Sequence, residues 1–146
     1  MNKKLLVVDD NREILSIIKE ALIEKDITIF TSENPIHALH IFFVERPQIV
    51  LSDLKLGTGM DGLTMCGKMR TKIPKTITIA MTGYLTSYDL NYCLGSGMFS
   101  DAITKPFELD LLIKIIFRWF EKRERWDLVR PSFDGMSLED DDGSDT

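Results

Sequence analysis

Short apolar runs alternate with longer stretches of helical periodicity five times along the chain. Leu5-Leu6-Val7-Val8 reads as a buried first strand that stops at Asp9-Asp10. Asn11 is placed to cap a helix, and Ile14, Leu15, Ile17, Ile18, Ala21 and Leu22 follow at helical spacing to near Lys25-Asp26. Residues 27–31 form a second strand. Ser32-Glu33-Asn34-Pro35 opens a second helix carrying Ile36, Ala38, Leu39, Ile41 and Phe42, closed by Pro47. The third strand, Ile49-Val50-Leu51, ends at Asp53. Gly57, Gly59 and Gly62 mark a flexible loop, after which Leu63, Met65, Cys66 and Met69 predict a third helix ending before Pro74. Residues 76–81 predict a fourth strand and 87–94 a fourth helix, ended by Gly95-Ser96-Gly97. Residues 102–104 predict a fifth strand and 108 to about 125 a fifth helix.

This alternation predicts an α/β fold, a doubly wound five-stranded parallel sheet with helices on both faces. In such a sheet the C-terminal ends of the strands share one edge, where ligands and chemistry sit. The polar residues at those ends are Asp9-Asp10, Asp53, Thr82 and Lys105. Three carboxylates, a hydroxyl and an ammonium are thereby brought within reach of one another. Clustered carboxylates repel unless cations intervene. Lys105 can neutralise one, and a small hard divalent ion the others, with Mg²⁺ favoured over Ca²⁺ by the small number of protein oxygens. The acids after the first strand also argue against a flavin or dinucleotide, whose phosphates need glycines and backbone N–H groups there.

Composition adds little to the fold and more to the ends of the chain. Hydrophobic content of 44% and charged content of 28% are those of an ordinary globular protein, and a length of 146 residues suits one domain. From Asp127 onward seven acids face one base, so the acidic balance belongs to the C-terminal end. We therefore expect a domain over 1–125 and an acidic tail over 126–146, with 138–146 disordered. The body is nearly neutral, which gives no basic surface for DNA. Cys66 and Cys93 lie in apolar patterns and read as reduced buried thiols. With no signal peptide and no span for a membrane, the expected location is cytoplasmic.

Five short motifs carry a family resemblance: Val7-Val8-Asp9-Asp10-Asn11, Ser52-Asp53-Leu54, Met60-Asp61-Gly62, Met81-Thr82-Gly83-Tyr84 and Thr104-Lys105-Pro106-Phe107. Each is weak alone, but in this order on five alternating strands they are specific. Residues 3–125 resemble the receiver domain of two-component response regulators, with its flavodoxin-like fold. The resemblance implies that Asp53 is the phosphoacceptor, supplied by a histidine kinase or a histidine phosphotransfer protein. It implies Mg²⁺ held by Asp10, Asp53 and the backbone carbonyl of Lys55, with Asp9 acting through water. Thr82 and Lys105 would contact phosphoryl oxygens, and Lys105-Pro106 would be a cis peptide. It further implies a phosphorylation-controlled adaptor or relay without an output domain of its own. Such a chain is an enzyme only toward its own phosphorylation and dephosphorylation.

The chain departs from the family pattern at two points. Ala102 stands where receivers commonly carry a large aromatic residue, so the readout is expected through the fourth helix, with Phe99 or Tyr84 taking part. Gly57 stands where many have proline. The bulky pair Lys55 and Tyr84 implies a fairly long-lived phosphorylated state. The alternative is a constitutive binding module that cycles no phosphate. An aspartate-nucleophile phosphatase is disfavoured because Lys55 stands where its second acid would be. His37 and His40 read as a solvated or partly packed pair, not a metal site. The fifth helix is apolar over more than one face, which suits either a broad core stripe or a surface, shared with the fourth helix and fifth strand, for a homodimer or an unknown target. Trp126, Leu128, Val129, Phe133 and Met136 are placed either to fold back on the domain or to meet a partner.

Overall fold

A computed structural model describes residues 2–57, 59–83 and 87–137, with side chains for all of these but 87–90 and 130–137. Five strands and five helices alternate: β1 (Lys4–Val8), α1 (Arg12–Leu22), β2 (Thr28–Ser32), α2 (Pro35–Glu45), β3 (Ile49–Asp53), α3 (Gly62–Lys72), β4 (Ile77–Thr82), α4 (Ser87–Gly95), β5 (Asp101–Thr104) and α5 (Leu109–Ser137). The strands form one sheet in the order β2-β1-β3-β4-β5, every pair parallel. The expected doubly wound fold is therefore present.

The strands are buried on both sides because their apolar runs do not alternate with polar residues, and the pleat sends neighbours to opposite faces. Leu5, Val7, Ile49, Leu51, Ile79 and Met81 point to one core, where Leu15, Ile18 and Leu22 of α1 meet Leu112, Ile116 and Phe120 of α5. Leu6, Val8, Val50 and Ala80 point to the other, against Ala38 and Phe42 of α2, Met65, Cys66 and Met69 of α3, and Cys93 of α4. From α5, Leu112, Ile116 and Phe120 are core. Ile113, Ile115, Phe117 and Trp119 pack at its margin, and Leu111 is exposed.

The chain leaves β1 toward β2 on one side and returns to β3 on the other. The reversal opens a crevice between the C-terminal ends of β1 and β3, the position where doubly wound sheets hold their sites. Asn11 caps α1 as its position foretold, and Asn34 of the expected helix entry caps α2, each side chain accepting from two backbone N–H groups. The Lys105-Pro106 peptide is cis, as the resemblance implied.

Two boundaries differ from the sequence expectation. α1 stops at Leu22, short of Lys25-Asp26, because the chain turns there with Lys25 N–H donating to the Leu22 carbonyl and Asp26 in the left-handed region at φ 58°. α5 does not stop near Arg125 but runs to Ser137. The change of composition after Trp126, with Pro131 and Gly135, argued for an end. The helix nevertheless continues, with the Arg123–Asp127 pair at i, i+4 (Nε to Oδ1 3.3 Å) supporting the turn before Pro131, whose missing N–H leaves one backbone bond unmade. Leu128 and Val129 on this extension are exposed and do not fold back on the body. The side chains of Phe133 and Met136 and the expected disorder of 138–146 lie outside the described residues. Phe42 is fully buried and Ile36 is 64% exposed on the same helix. Phe42→Ala is expected to cost about 3–5 kcal/mol in urea unfolding, and Ile36→Ala no more than about 0.5 kcal/mol.

Candidate functional site

β1 delivers Asp9 into the crevice with its backbone N–H on the Ser32 carbonyl at 3.1 Å. Its carboxylate is fully buried. One oxygen accepts from Asn11 N–H at 2.8 Å and the other from Lys105 Nζ at 2.7 Å. Asp10, next along the chain, turns outward and is exposed. β3 delivers Asp53, whose Oδ2 accepts from the same Lys105 Nζ at 3.0 Å and whose Oδ1 lies 3.3 Å from Lys55 N–H. Lys105 follows β5, with its backbone N–H on the Thr82 carbonyl at 2.8 Å. Thr82 closes β4 beside Met81, the register partner of Asp53, and is buried.

Oxygens of Asp9, Asp10 and Asp53 all lie within 4.8 Å of one another. The five residues predicted from strand ends are thus gathered at one edge. Lys55 sits two residues past Asp53, its N–H already oriented by that carboxylate. His37 and His40 stand apart from this cluster. His37 Nδ1 is 3.1 Å from Ser32 Oγ, and both rings are on the exposed side of α2. Tyr84 lies outside the described residues. Ala102 packs at the margin of the second core, where Phe99 is buried.

Burial pushes the Asp9 carboxyl up from its ordinary pKa, and the charge of Asp53 adds to this. The Lys105 and Asn11 hydrogen bonds oppose the rise without cancelling it. For Lys105 burial works the other way and would lower the ammonium's pKa. Its hydrogen bonds to Asp9 and Asp53, and the charge of both, outweigh that and hold it raised. Lys105 is therefore a fixed cation, yet a single one among three carboxylates. The remaining hard oxygen donors, partly open to water, fit a small divalent cation.

Gly62, the last residue of Met60-Asp61-Gly62, has a steric role that the sequence did not disclose. A Cβ there would collide with the Asp53 carbonyl oxygen and reach 3.0 Å from Ser52 Oγ. Only glycine lets the start of α3 approach the end of β3 so closely. Gly62 N–H donates to the Leu54 carbonyl at 2.8 Å, and Ser52 Oγ donates to the Asp53 carbonyl at 2.8 Å. Asp61 caps α3 by accepting from Thr64 N–H. Cys66 and Cys93 are buried and form no disulfide with each other, and burial pushes the Cys66 thiol up to about 12.

Residues 5–117 match the family model of the response regulator receiver domain. The chain is 32% identical over 110 residues to sporulation initiation phosphotransferase F of Bacillus subtilis, covering 75% of this chain and 87% of that one. It is 31% identical over 115 residues to the regulatory protein AtoC of Escherichia coli, but spans only 24% of that longer protein. Among solved structures, a two-component response regulator from Clostridium difficile superposes with a TM-score of 0.71 at 28% identity, covering 80% of this chain and 96% of that one. The receiver domain of a putative LuxO repressor from Vibrio parahaemolyticus, 22% identical, shares the fold with a TM-score of 0.82. The chain belongs to the response regulator receiver domains of two-component systems.

Two outcomes follow from the geometry. Asp10→Asn is expected to raise the melting temperature in EDTA, since it removes a repelling charge, and to shrink the rise that Mg²⁺ produces in the wild type. Differential scanning fluorimetry with and without Mg²⁺ reads both. Gly62→Ala is expected to cost at least about 2 kcal/mol in chemical denaturation, because the Asp53 backbone must move.

Proposed function

We propose that Asp53 accepts a phosphoryl group from a phosphohistidine, on a histidine kinase or a histidine phosphotransfer protein, and that the chain then signals through protein contacts. The observation that carries this is the unequal exposure of the two acids that share Lys105. Asp9 is fully buried, whereas the Asp53 side chain is 14% exposed at the mouth of the crevice. Of the pair, only Asp53 can meet a donor.

In the transfer an Asp53 carboxylate oxygen forms a bond to phosphorus while the P–N bond breaks, its electron pair staying on the imidazole nitrogen. Such a step needs in-line placement and positive charge around the phosphoryl oxygens more than it needs acid–base chemistry. Lys105 supplies fixed positive charge at Asp53 Oδ2, and its raised pKa keeps it protonated throughout the neutral range. Thr82 offers a hydroxyl beside the acceptor. Asp9, Asp10, Asp53 and the Lys55 carbonyl would hold Mg²⁺, which when bound offsets the charge of the carboxylates and of the incoming phosphoryl group. Asp9, locked by Asn11 and Lys105, positions the lysine more than it meets the donor. The only catalysis in this reading is the chain's own phosphorylation and dephosphorylation.

The α4–β5–α5 face is the surface we assign to a target or a second copy. Exposed Tyr92, Leu94 and Leu111 support that assignment. With no aromatic residue at 102, readout is assigned to α4 and the loop before it.

Incubation with acetyl phosphate and Mg²⁺ is expected to add one phosphoryl mass to the wild type and none to Asp53→Asn, read by intact-protein mass spectrometry. Lys105→Met is expected to slow the addition about 10²-fold. A wild type that stays unmodified, from acetyl phosphate and from a phosphorylated histidine protein alike, would leave a constitutive binding module as the reading.

A further inference from the structure

The edge of the sheet opposite the acids carries a second concentration of charge, of the other sign. A hollow of about 330 Å³ opens where the last turn of α3, the loop into β4 and α5 meet. Arg70 of α3, Lys75 of the loop and Lys122 and Arg123 of α5 line it, and no carboxylate does among the described residues. An adjoining hollow of about 300 Å³ shares Lys75, Thr76 and Arg123 and adds Arg46. A cleft walled by one sign of charge concentrates ions of the other.

Two buried polar atoms at this place have no hydrogen-bond partner among the described residues, Arg70 Nε and Thr76 Oγ1. Thr76 is 2% exposed and lines both hollows. Buried donors are rarely left unmet in native proteins, and both of these belong to residues that line the same hollow. The phosphoacceptor cluster cannot be what they serve. Thr76 immediately precedes β4, and Thr82 lies at the far end of that strand, roughly 20 Å away at the usual rise per residue.

A partner for Arg70 Nε must accept hydrogen bonds, and the four cations around the hollow favour one that carries negative charge. Arg70 Nε is a donor only, and the Thr76 hydroxyl can donate. Arg123 reaches Asp127 Oδ1 through Nε and the Lys75 carbonyl through one terminal nitrogen at 3.4 Å, which leaves further guanidinium donors. Trp119 is held by its Nε1–H on Asp101 Oδ2 at 2.8 Å, with Lys122 Nζ 4.4 Å from its ring centroid. Trp126 also lines the hollow, so indole surface stands beside the cations. The volume is at the small end of ligand pockets.

We propose that this basic hollow at the N-terminal edge of the sheet binds a small phosphate-bearing organic ligand. Its phosphate oxygens accept from Arg70, Thr76 and the neighbouring cations, and its organic part lies against the indoles. Carboxylates can offer the same oxygens, and the chain's own Glu139, Asp140, Asp141 and Asp142 are a second source of them.

The chain has two tryptophans, and both line the hollow, so their emission reports on it directly. Adenosine monophosphate and inorganic phosphate, titrated into the full chain at low salt, are expected to give saturable emission changes, with the nucleotide the tighter. Arg70→Gln should weaken binding at least tenfold and the surface change Lys75→Gln several-fold, in proteins shown by melting to be folded. Asp53→Asn should bind as the wild type does, which separates this site from the phosphoacceptor reading. No saturable change through the millimolar range, or undiminished binding in both Arg70→Gln and Lys75→Gln, would overturn the proposal. So would a Asp140→Asn/Asp141→Asn/Asp142→Asn variant whose emission shifts without ligand and which alone binds phosphate, since the hollow would then belong to the chain's own end.

Discussion

One ammonium group ties the functional edge of this molecule together. Lys105 Nζ reaches Asp9 at the end of β1 and Asp53 at the end of β3, although its own strand, β5, lies at the margin of the sheet with β4 between. Ion pairs in the interior gain little if their desolvation is not repaid by close hydrogen bonds. Here two short bonds to two carboxylates do so, and Asp9 also accepts from Asn11. The arrangement is nevertheless one positive charge short of two and leaves Asp10 unserved. A site with that deficit has carboxylate oxygens that could hold a cation.

The scaffold makes such a site tolerable. Every central strand is sealed on both faces by helices, so the sheet does not depend on its C-terminal edge for stability. Stability is concentrated in two apolar cores, and repulsion is concentrated in the crevice between β1 and β3, where the topology reverses. Gly62 belongs to the same economy of space, since its missing side chain lets α3 begin directly against the Asp53 carbonyl. The Asp53 backbone is thereby held from both sides, by Ser52 and by the start of α3, while its carboxylate stays partly open to solvent.

The two ends of the sheet differ in the kind of charge they collect. Acids gather at the C-terminal ends of the strands. Arginine and lysine from α3, α5 and the loops gather at the N-terminal ends, around atoms of Arg70 and Thr76 that have no hydrogen-bond partner among the described residues. A nearly neutral body thus hides two strongly charged poles. Net charge could not have shown this, because it sums over positions that the fold separates.

The alternation of elements, the doubly wound sheet and the acids at its edge were legible in the sequence because period and punctuation are local properties. Apolar runs that stop at Asp9 and Asp53, the cap at Asn11, the helix entry at Asn34-Pro35, and Thr82 and Lys105 at later strand ends need only the chain in order. Local signals misjudged the length of α5, since the change of composition after Trp126 does not end the helix, which the Arg123–Asp127 pair supports on the turn before Pro131. What only tertiary structure decided was which groups meet. Lys105 bonds both Asp9 and Asp53, Asp9 is sealed while Asp53 is open, and Gly62 is sterically required by a carbonyl nine residues earlier. Arg70, far in sequence from Lys122 and Arg123, shares a hollow with them. These are contacts across the sheet and between helices, and no periodicity along a chain encodes the distance between residues brought together only by folding.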